Sequence, residues 1–416
     1  MAQRILIVGG GVIGLSTAYC AARKGLDVTV VDGSATEGDG CSFGNAGMVV
    51  PSHVVPLAAP GMVALGLRFM WNPESPFYVR PRLSRDLFDW AWRFWRASTE
   101  AHVARAAPLL RDLSLASRAI FEDWSGAWED DFGLARRGLL MLCKTAHGLD
   151  EEADLARRAT ALGVPARVLS PAEAAAMEPG MRLDVLGGVY FPLDCHLAPD
   201  RFMTALRREA ERAGVAFVRA EVTGWRAARG RIDAVRTAEG DQAADQYVVS
   251  AGTWSTSLAR GLGLRLPMQA GKGLSLTLPQ PRRLPVHCAI LSEARVAVTP
   301  MGDALRFAGT MELCGIDRTI SPARVRGLVR SVPLYLPDFT DADFAGVSAW
   351  SGLRPCSPDG LPYLGRSSRY SNLLIGTGHA MVGVSLGPIT GRLLAEILSG
   401  EPPSIDVQAL SPDRHG

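Results

Sequence analysis

The sequence predicts an α/β protein in which a parallel-sheet domain is interleaved along the chain with an α+β domain built on an antiparallel sheet. Three observations lead there. The chain opens with an apolar run, Ile5–Val8, followed at once by Gly9-Gly10-Gly11-Val12-Ile13-Gly14 and a helical stretch. A second glycine-rich strand-to-helix turn, Gly376-Thr377-Gly378-His379-Ala380-Met381-Val382-Gly383, lies near the other end. Between them, residues 266–345 carry short strand candidates separated by turn residues, as antiparallel sheets do.

Ile5–Val8 is continuously apolar, the pattern of a strand buried on both faces. Gly9, Gly11 and Gly14 fit GxGxxG. In a Rossmann-type start the first glycine makes the tight turn, the second admits a pyrophosphate to the backbone, and the third lets helix and strand pack closely. The Ala-rich stretch Leu15–Lys24 reads as the helix, Gly25 as its C-cap and Val28–Val31 as the next strand, ending at Asp32. A carboxylate there accepts hydrogen bonds from ribose hydroxyls and repels a 2′-phosphate; the plain alternative is a solvated turn residue before Gly33. Residues 51–80, rich in Pro, Gly and aromatics, read as irregular. Residues 83–98 form a helix whose apolar arc covers more than half the wheel, with Leu83, Leu87, Trp90, Ala91 and Phe94 in one stripe and Phe88, Trp92 and Trp95 beside it. Such a helix either packs on two sides or offers a dock to a membrane surface or redox partner. A second helix is expected over 106–124. Residues 199–225 read as helix then strand, with Pro199 opening the helix and Gly214 closing it. Tyr247–Gly252, Arg295–Thr299, Leu305–Gly309 and Leu373–Gly376 are further strands, and a helix follows over 382–398. The proline-bearing tail after Gly400 is expected to be loosely ordered.

Composition narrows the class. Over 416 residues the chain is 47% apolar and 21% charged, with a formal net charge of +2. No basic stripe with interleaved aromatics is present, which argues against nucleic acid as a partner. Seven scattered cysteines without a CxxC suit neither a disulfide framework nor a metal site, and fit free thiols in a reducing compartment. The N-terminal apolar run is too short for a signal peptide, and no run of 18 apolar residues predicts a spanning helix.

Two further motifs carry chemistry. One dinucleotide needs one glycine-rich loop for its pyrophosphate, so the second loop points to the far end of the ligand. A flavin ring fits, because negative charge builds at its pyrimidine edge on reduction and a helix N-terminus stabilises it. His379 either hydrogen-bonds near that ring or caps the turn structurally. The run Trp350-Ser351-Gly352-Leu353-Arg354-Pro355-Cys356-Ser357-Pro358-Asp359-Gly360 sets an arginine between conformationally restricted residues. Arg354 is then either a bidentate clamp for a carboxylate or a structural partner of Asp359.

These motifs, in this order, resemble the D-amino-acid oxidase family of FAD enzymes, which includes glycine oxidase, sarcosine oxidase and bacterial D-amino acid dehydrogenases. The resemblance rests on GGGVIG, VVD, the SFGNAG stretch at 42–47, GGVYFPLDCHLAPDRF, VVSAGTWS, AVTPMGDALRFAGTMEL, WSGLRPCSPDGLPYLG and GTGHAMVGVSLGP. It implies a Rossmann-type, glutathione-reductase-like FAD-binding domain over 1–50, 198–265 and 346–416, and a substrate domain over 51–197 and 266–345. It implies that Gly9, Gly11, Ile13 and Gly14 hold the pyrophosphate and that Asp32 and Gly33 meet the ribose. Gly40, Cys41, Ser42, Asn45, Ala46, Gly47 and Met48 would run past pyrophosphate and flavin, and Val222 would touch the adenine. Ala251, Gly252, Trp254 and Gly352 would line the cofactor; Gly378, His379, Met381, Val382 and Gly383 would meet the pyrimidine edge. Arg354 matches the carboxylate-binding arginine. Pro51-Ser52-His53 is similar to relatives acting on cyclic D-imino acids, which would set His53 toward the substrate, though a surface histidine is the equal alternative. No flavin-attachment motif is present, so FAD is expected to be non-covalent.

The implied activity is FAD-dependent oxidation of a D-amino or cyclic D-imino acid, with cis-4-hydroxy-D-proline or D-proline foremost and electrons passing to a quinone or carrier. A broad D-amino acid dehydrogenase or a glycine or sarcosine oxidase is the nearest alternative. A flavoprotein that modifies a macromolecule and an FAD-bound subunit of a larger complex are the others. The expected location is cytoplasmic, with peripheral contact to the inner membrane face left open.

Overall fold

The computed structural model describes residues 2–34, 40–69, 72 and 74–416. Its first layer is a six-stranded sheet in the order Tyr363–Arg366, Leu373–Thr377, Gln246–Val249, Arg4–Val8, Asp27–Asp32 and Ala216–Arg219. All neighbours run parallel except the edge pair Tyr363–Arg366 and Leu373–Thr377. The strand Arg4–Val8 sits in the middle, where its four apolar residues are buried on both sides. The opening helix, Val12–Arg23, ends as read: Gly25 takes φ +82° and donates its N–H to Ala22 O.

One face of this sheet is covered by the opening helix, helix Pro199–Arg212 and the C-terminal helix Gly383–Leu398. The opening and C-terminal helices lie very close. A Cβ at Gly391 would stand 2.4 Å from the backbone of Ser16. That approach places the starts of both helices side by side. The other face packs on the three-stranded antiparallel sheet Val222–Ala228, Arg231–Thr237 and Gly240–Gln242.

The second layer is a larger, mainly antiparallel sheet ordered Ala349–Cys356, Gln269–Leu278, Ala304–Leu313, Val296–Met301, Cys288–Leu291, Leu139–Cys143, Gly187–Phe191 and Arg167–Leu169. Two pairings in it are parallel, Cys288–Leu291 with Leu139–Cys143 and Ala304–Leu313 with Phe77–Val79.

Several sequence expectations are corrected. Residues 51–80 are not all irregular: they hold helix Met62–Phe69 and strand Phe77–Val79. Residues 349–356, counted with the cofactor domain, hydrogen-bond into the larger sheet. Helix Glu100–Ala127, counted with the substrate domain, buries Leu110, Leu113, Phe121 and Trp124 in the cofactor-side core. The tail is pinned: Leu410 is buried, and Arg414 holds Asp359 through Nε at 2.7 Å and Nη2 at 3.0 Å. The aromatic helix, Arg85–Ala97, packs on one side only. Leu87 and Trp90 are buried, whereas Phe88, Trp92 and Trp95 are exposed. Among the described residues one helical stretch, Ala380–Leu398, is long and apolar enough to cross a membrane, and it is mostly buried within the protein. All seven cysteines are free thiols.

Candidate active site

The first turn is shaped by backbone. Gly9 has φ +111°, and a Cβ there would lie 2.6 Å from Ser250 O; a Cβ at Gly14 would lie 1.8 Å from Gly9 O. Gly11 caps the helix without a side-chain hydrogen bond, and no acidic residue occupies the first turn. Its own Cβ would meet nothing nearer than Ser42 Oγ at 3.8 Å. The helix start therefore opens into space with free N–H groups and a positive dipole end. Ser42 Oγ accepts from Val12 N at 3.1 Å, tying segment 40–48 to this turn. Asp32 is engaged rather than merely solvated: Oδ2 accepts from Gly10 N and Oδ1 from Ser34 N. Asp32 O accepts from Ala220 N, which brings Gly33 and Val222 to the same end of the sheet.

The second turn lies beside the first. Thr377 Oγ1 donates to Gly252 O at 3.0 Å, and a Cβ at Gly9 would touch Ala251. Trp254, after the Gly252 turn, and Met381, in the second turn, remain about half exposed. His379 turns inward: its Nε2 lies 2.9 Å from Thr390 Oγ1, while its buried Nδ1 has no partner. Burial takes its imidazole down to about 3, so it is neutral. Of the two readings of His379, the inward, structural one describes its ring; Met381, Val382 and Gly383 carry the turn's surface, and Gly378 is buried against Tyr363.

Strand Ala349–Cys356 delivers Arg354 to this place. Cys356 bridges to His379, joining the strand's end to the second turn. Segment 40–48 packs on the same strand: a Cβ at Gly44 would collide with the Trp350 ring, which also leans on Gly352. Arg306 fixes that segment by donating to Phe43 O and Asn45 O, and Gly47 N donates to Asn45 Oδ1. The half-buried Arg354 guanidinium lies over Gly273 and donates through Nη1 to Thr310 O at 2.7 Å. Thr310 adopts φ +64°, rare for a non-glycine residue and a form of strain seen at functional sites. The alternative pairing of Arg354 with Asp359 is overturned, because Asp359 is held by Arg414 and His415. Among the described residues Arg354 has no carboxylate partner.

Sequence reading missed the surroundings of His53. The half-buried His53 follows Met48–Val49, a two-residue strand paired to Cys195–His196. Its Nδ1 lies 3.0 Å from Ser52 Oγ, which donates to Asp194 Oδ2 at 2.5 Å. Asp194 is wholly buried, and burial pushes its carboxyl up to about 7. Burial takes His53 down to about 4. The only sequence signal was that Asp194 sits in GGVYFPLDCHLAPDRF and Ser52 beside His53. No cluster of His, Cys, Asp and Glu suited to a metal occurs among the described residues.

Residues 4–397 match the family DAO, FAD dependent oxidoreductase. The chain belongs to that family. It is 35% identical over 420 residues to a D-amino acid dehydrogenase of Granulibacter bethesdensis, covering 97% of both chains. It is 36% identical over 420 residues to one of Methylobacterium radiotolerans, covering 99% of this chain and 100% of the other. Among solved structures, glycine oxidase from Geobacillus kaustophilus superposes with a TM-score of 0.79 at 25% identity, covering 100% of both chains. The residues fit the family's cofactor, FAD. A helix start with no acidic residue in its first turn opens at Gly11, the Asp32 carboxylate stands at the adjoining strand end, and a second helix start lies beside them. As a DAO-family protein, the chain is an FAD-dependent oxidoreductase.

Proposed function

We propose that this chain oxidises the C–N bond of a D-amino or cyclic D-imino acid and passes the electrons to a quinone or carrier. The observation that carries the reading is Arg354, a half-buried guanidinium held by Thr310 O, without an acidic partner among the described residues, next to the second glycine turn. Its remaining N–H groups suit a substrate carboxylate in a two-point contact. Bound FAD supplies the hydride acceptor. Arg354 then sets which face of the substrate Cα is presented, and such orientation is worth on the order of several kcal/mol of barrier. A primary amine would give an imine that water hydrolyses to a 2-oxo acid and ammonia; a cyclic amine would give a pyrroline carboxylate. The dehydrogenase names of the full-length relatives support D-amino acids. The narrower reading, cis-4-hydroxy-D-proline or D-proline, rests on Pro51-Ser52-His53.

Anaerobic bleaching of the flavin by a panel of D- and L-amino acids, prolines and hydroxyprolines tests substrate and hand together. Bleaching by the L-series alone overturns the proposal. Arg354→Ala is expected to raise KM roughly 10- to 150-fold, the loss of charge-assisted hydrogen bonds, while the protein stays yellow. An unchanged KM removes the clamp. Rapid stoichiometric peroxide under air would make the protein an oxidase instead. The FAD is expected to come free when the chain is precipitated with acid, as a non-covalent cofactor does.

A further inference from the structure

We propose that Ser52 and Asp194 are positioning residues that fix the tautomer of His53 and take up the proton His53 removes from the substrate nitrogen. This rests on the function proposed above and deepens it. The geometry is a chain of three groups. Asp194 Oδ1 accepts from Ser52 N at 3.0 Å, Asp194 Oδ2 from Ser52 Oγ, and Ser52 Oγ faces His53 Nδ1. A hydroxyl has one hydrogen. With that hydrogen given to an ionised Asp194, Ser52 Oγ can only accept from His53, so Nδ1 carries the imidazole proton. The lone pair is thereby placed on Nε2. Among the described residues Nε2 has no hydrogen-bond partner, and it is not sealed in the interior.

The turn bearing His53 stands at the active site. Val50 N donates to Ser385 Oγ in the first turn of the C-terminal helix, and Val50 and Val54 pack with Ala46, Met48 and Val382. Loss of hydride from Cα needs the nitrogen lone pair, so a substrate ammonium must first give up a proton. The transfer balances. His53 Nε2 takes the proton, Nδ1 releases its own to Ser52 Oγ, and the hydroxyl proton passes to Asp194. One proton moves, no electrons move, and the carboxylate becomes a carboxylic acid. It returns by the reverse path after product leaves.

The surroundings of Asp194 suit a proton store. Arg118, from helix Glu100–Ala127, is the one cation that pulls it down, and Arg118 is itself paired with Glu122 at 2.9 Å and donates to Cys195 Sγ. The thiols of Cys195 and Cys288 are close and are held neutral by burial. Burial therefore outweighs the cation, and Asp194 changes protonation near neutrality. Burial is what takes the His53 imidazole down.

The test is stopped-flow reduction of the bound flavin in the anaerobic holoenzyme, with D-alanine and D-proline as probes, across pH. Reduction of the wild type by at least one probe upholds the function proposal; failure with both overturns that proposal and the relay together. Asp194→Asn and Ser52→Ala are expected to slow reduction at saturating probe at least ~10-fold, with half-saturation changed less than about threefold. They should also move the acidic limb of the rate down by about one pH unit or more, because His53 alone titrates lower than its coupled partner. Ser52→Thr restores rate and limb by restoring the hydroxyl. Flavin-loaded variants with the wild-type rate and limb overturn the relay. If Asp194→Asn fails to hold flavin, the Ser52→Ala and Ser52→Thr pair decides on the same readout.

Discussion

The two glycine-lined turns meet at one place and are built in different ways. In the first, backbone touches backbone: Gly9 lies against Ser250 and Gly14 against Gly9 O. In the second, shape comes from side chains distant in the chain. Gly378 is fitted under Tyr363, His379 is buried against Thr390, and Ala380 takes φ +47° without the freedom of a glycine. A turn made by backbone crowding announces itself in a short motif. A turn made by tertiary packing announces only that glycines are needed, and the role of the histidine within it stays open until the fold is known.

That contrast can be broken or sharpened by substitution. The largest effect is expected from Gly14→Ala. Its methyl would stand 1.8 Å from a backbone oxygen, so the first turn must move. The cost is about 3 kcal/mol, with loss of FAD, read by thermal unfolding and by flavin absorbance of the purified protein. A stable yellow variant would break the backbone account of this turn.

A smaller, pH-dependent effect separates the second turn. The folded state holds His379 at about 3 against an ordinary 6.5, favouring the neutral ring. Its contribution to stability is complete above about pH 6.5 and is lost as pH falls toward 3, at about 1.4 kcal/mol per unit. His379→Gln should flatten the fall in unfolding temperature between about pH 6 and pH 4. His53 and His196, both taken down to about 4 by burial, share the sign, so the slope is reduced rather than abolished. An unchanged slope would place the acid sensitivity elsewhere. The smallest effect is expected from Ala380→Gly, which relieves a left-handed backbone worth about 1 kcal/mol and should raise the unfolding midpoint slightly.

What was legible in the sequence follows the same division. The opening strand, turn and helix were read to within a few residues because each rests on neighbours in sequence. Arg354 was legible because Pro355 follows it and restricts its backbone, but its freedom from Asp359 depends on Arg414, 55 residues beyond Asp359. The same ion pair is why the tail is ordered, and no local signal at 400–416 carries it. Ser52 and Asp194 are 142 residues apart and become partners only when a two-residue strand pairs with Cys195–His196. Helix Met62–Phe69 was missed because it buries none of its side chains and so shows no clear periodicity.

The outward side of helix Arg85–Ala97 gives the protein a spectroscopic handle of its own. Trp92 and Trp95 lie with ring centroids 5.0 Å apart, and each is 57% exposed to water. Their emission is therefore open to collisional quenching by iodide, unlike that of the enclosed Trp90. Anything that settles on this side, lipid or protein, would shield the pair and shift its fluorescence to the blue, reporting the encounter without an added dye.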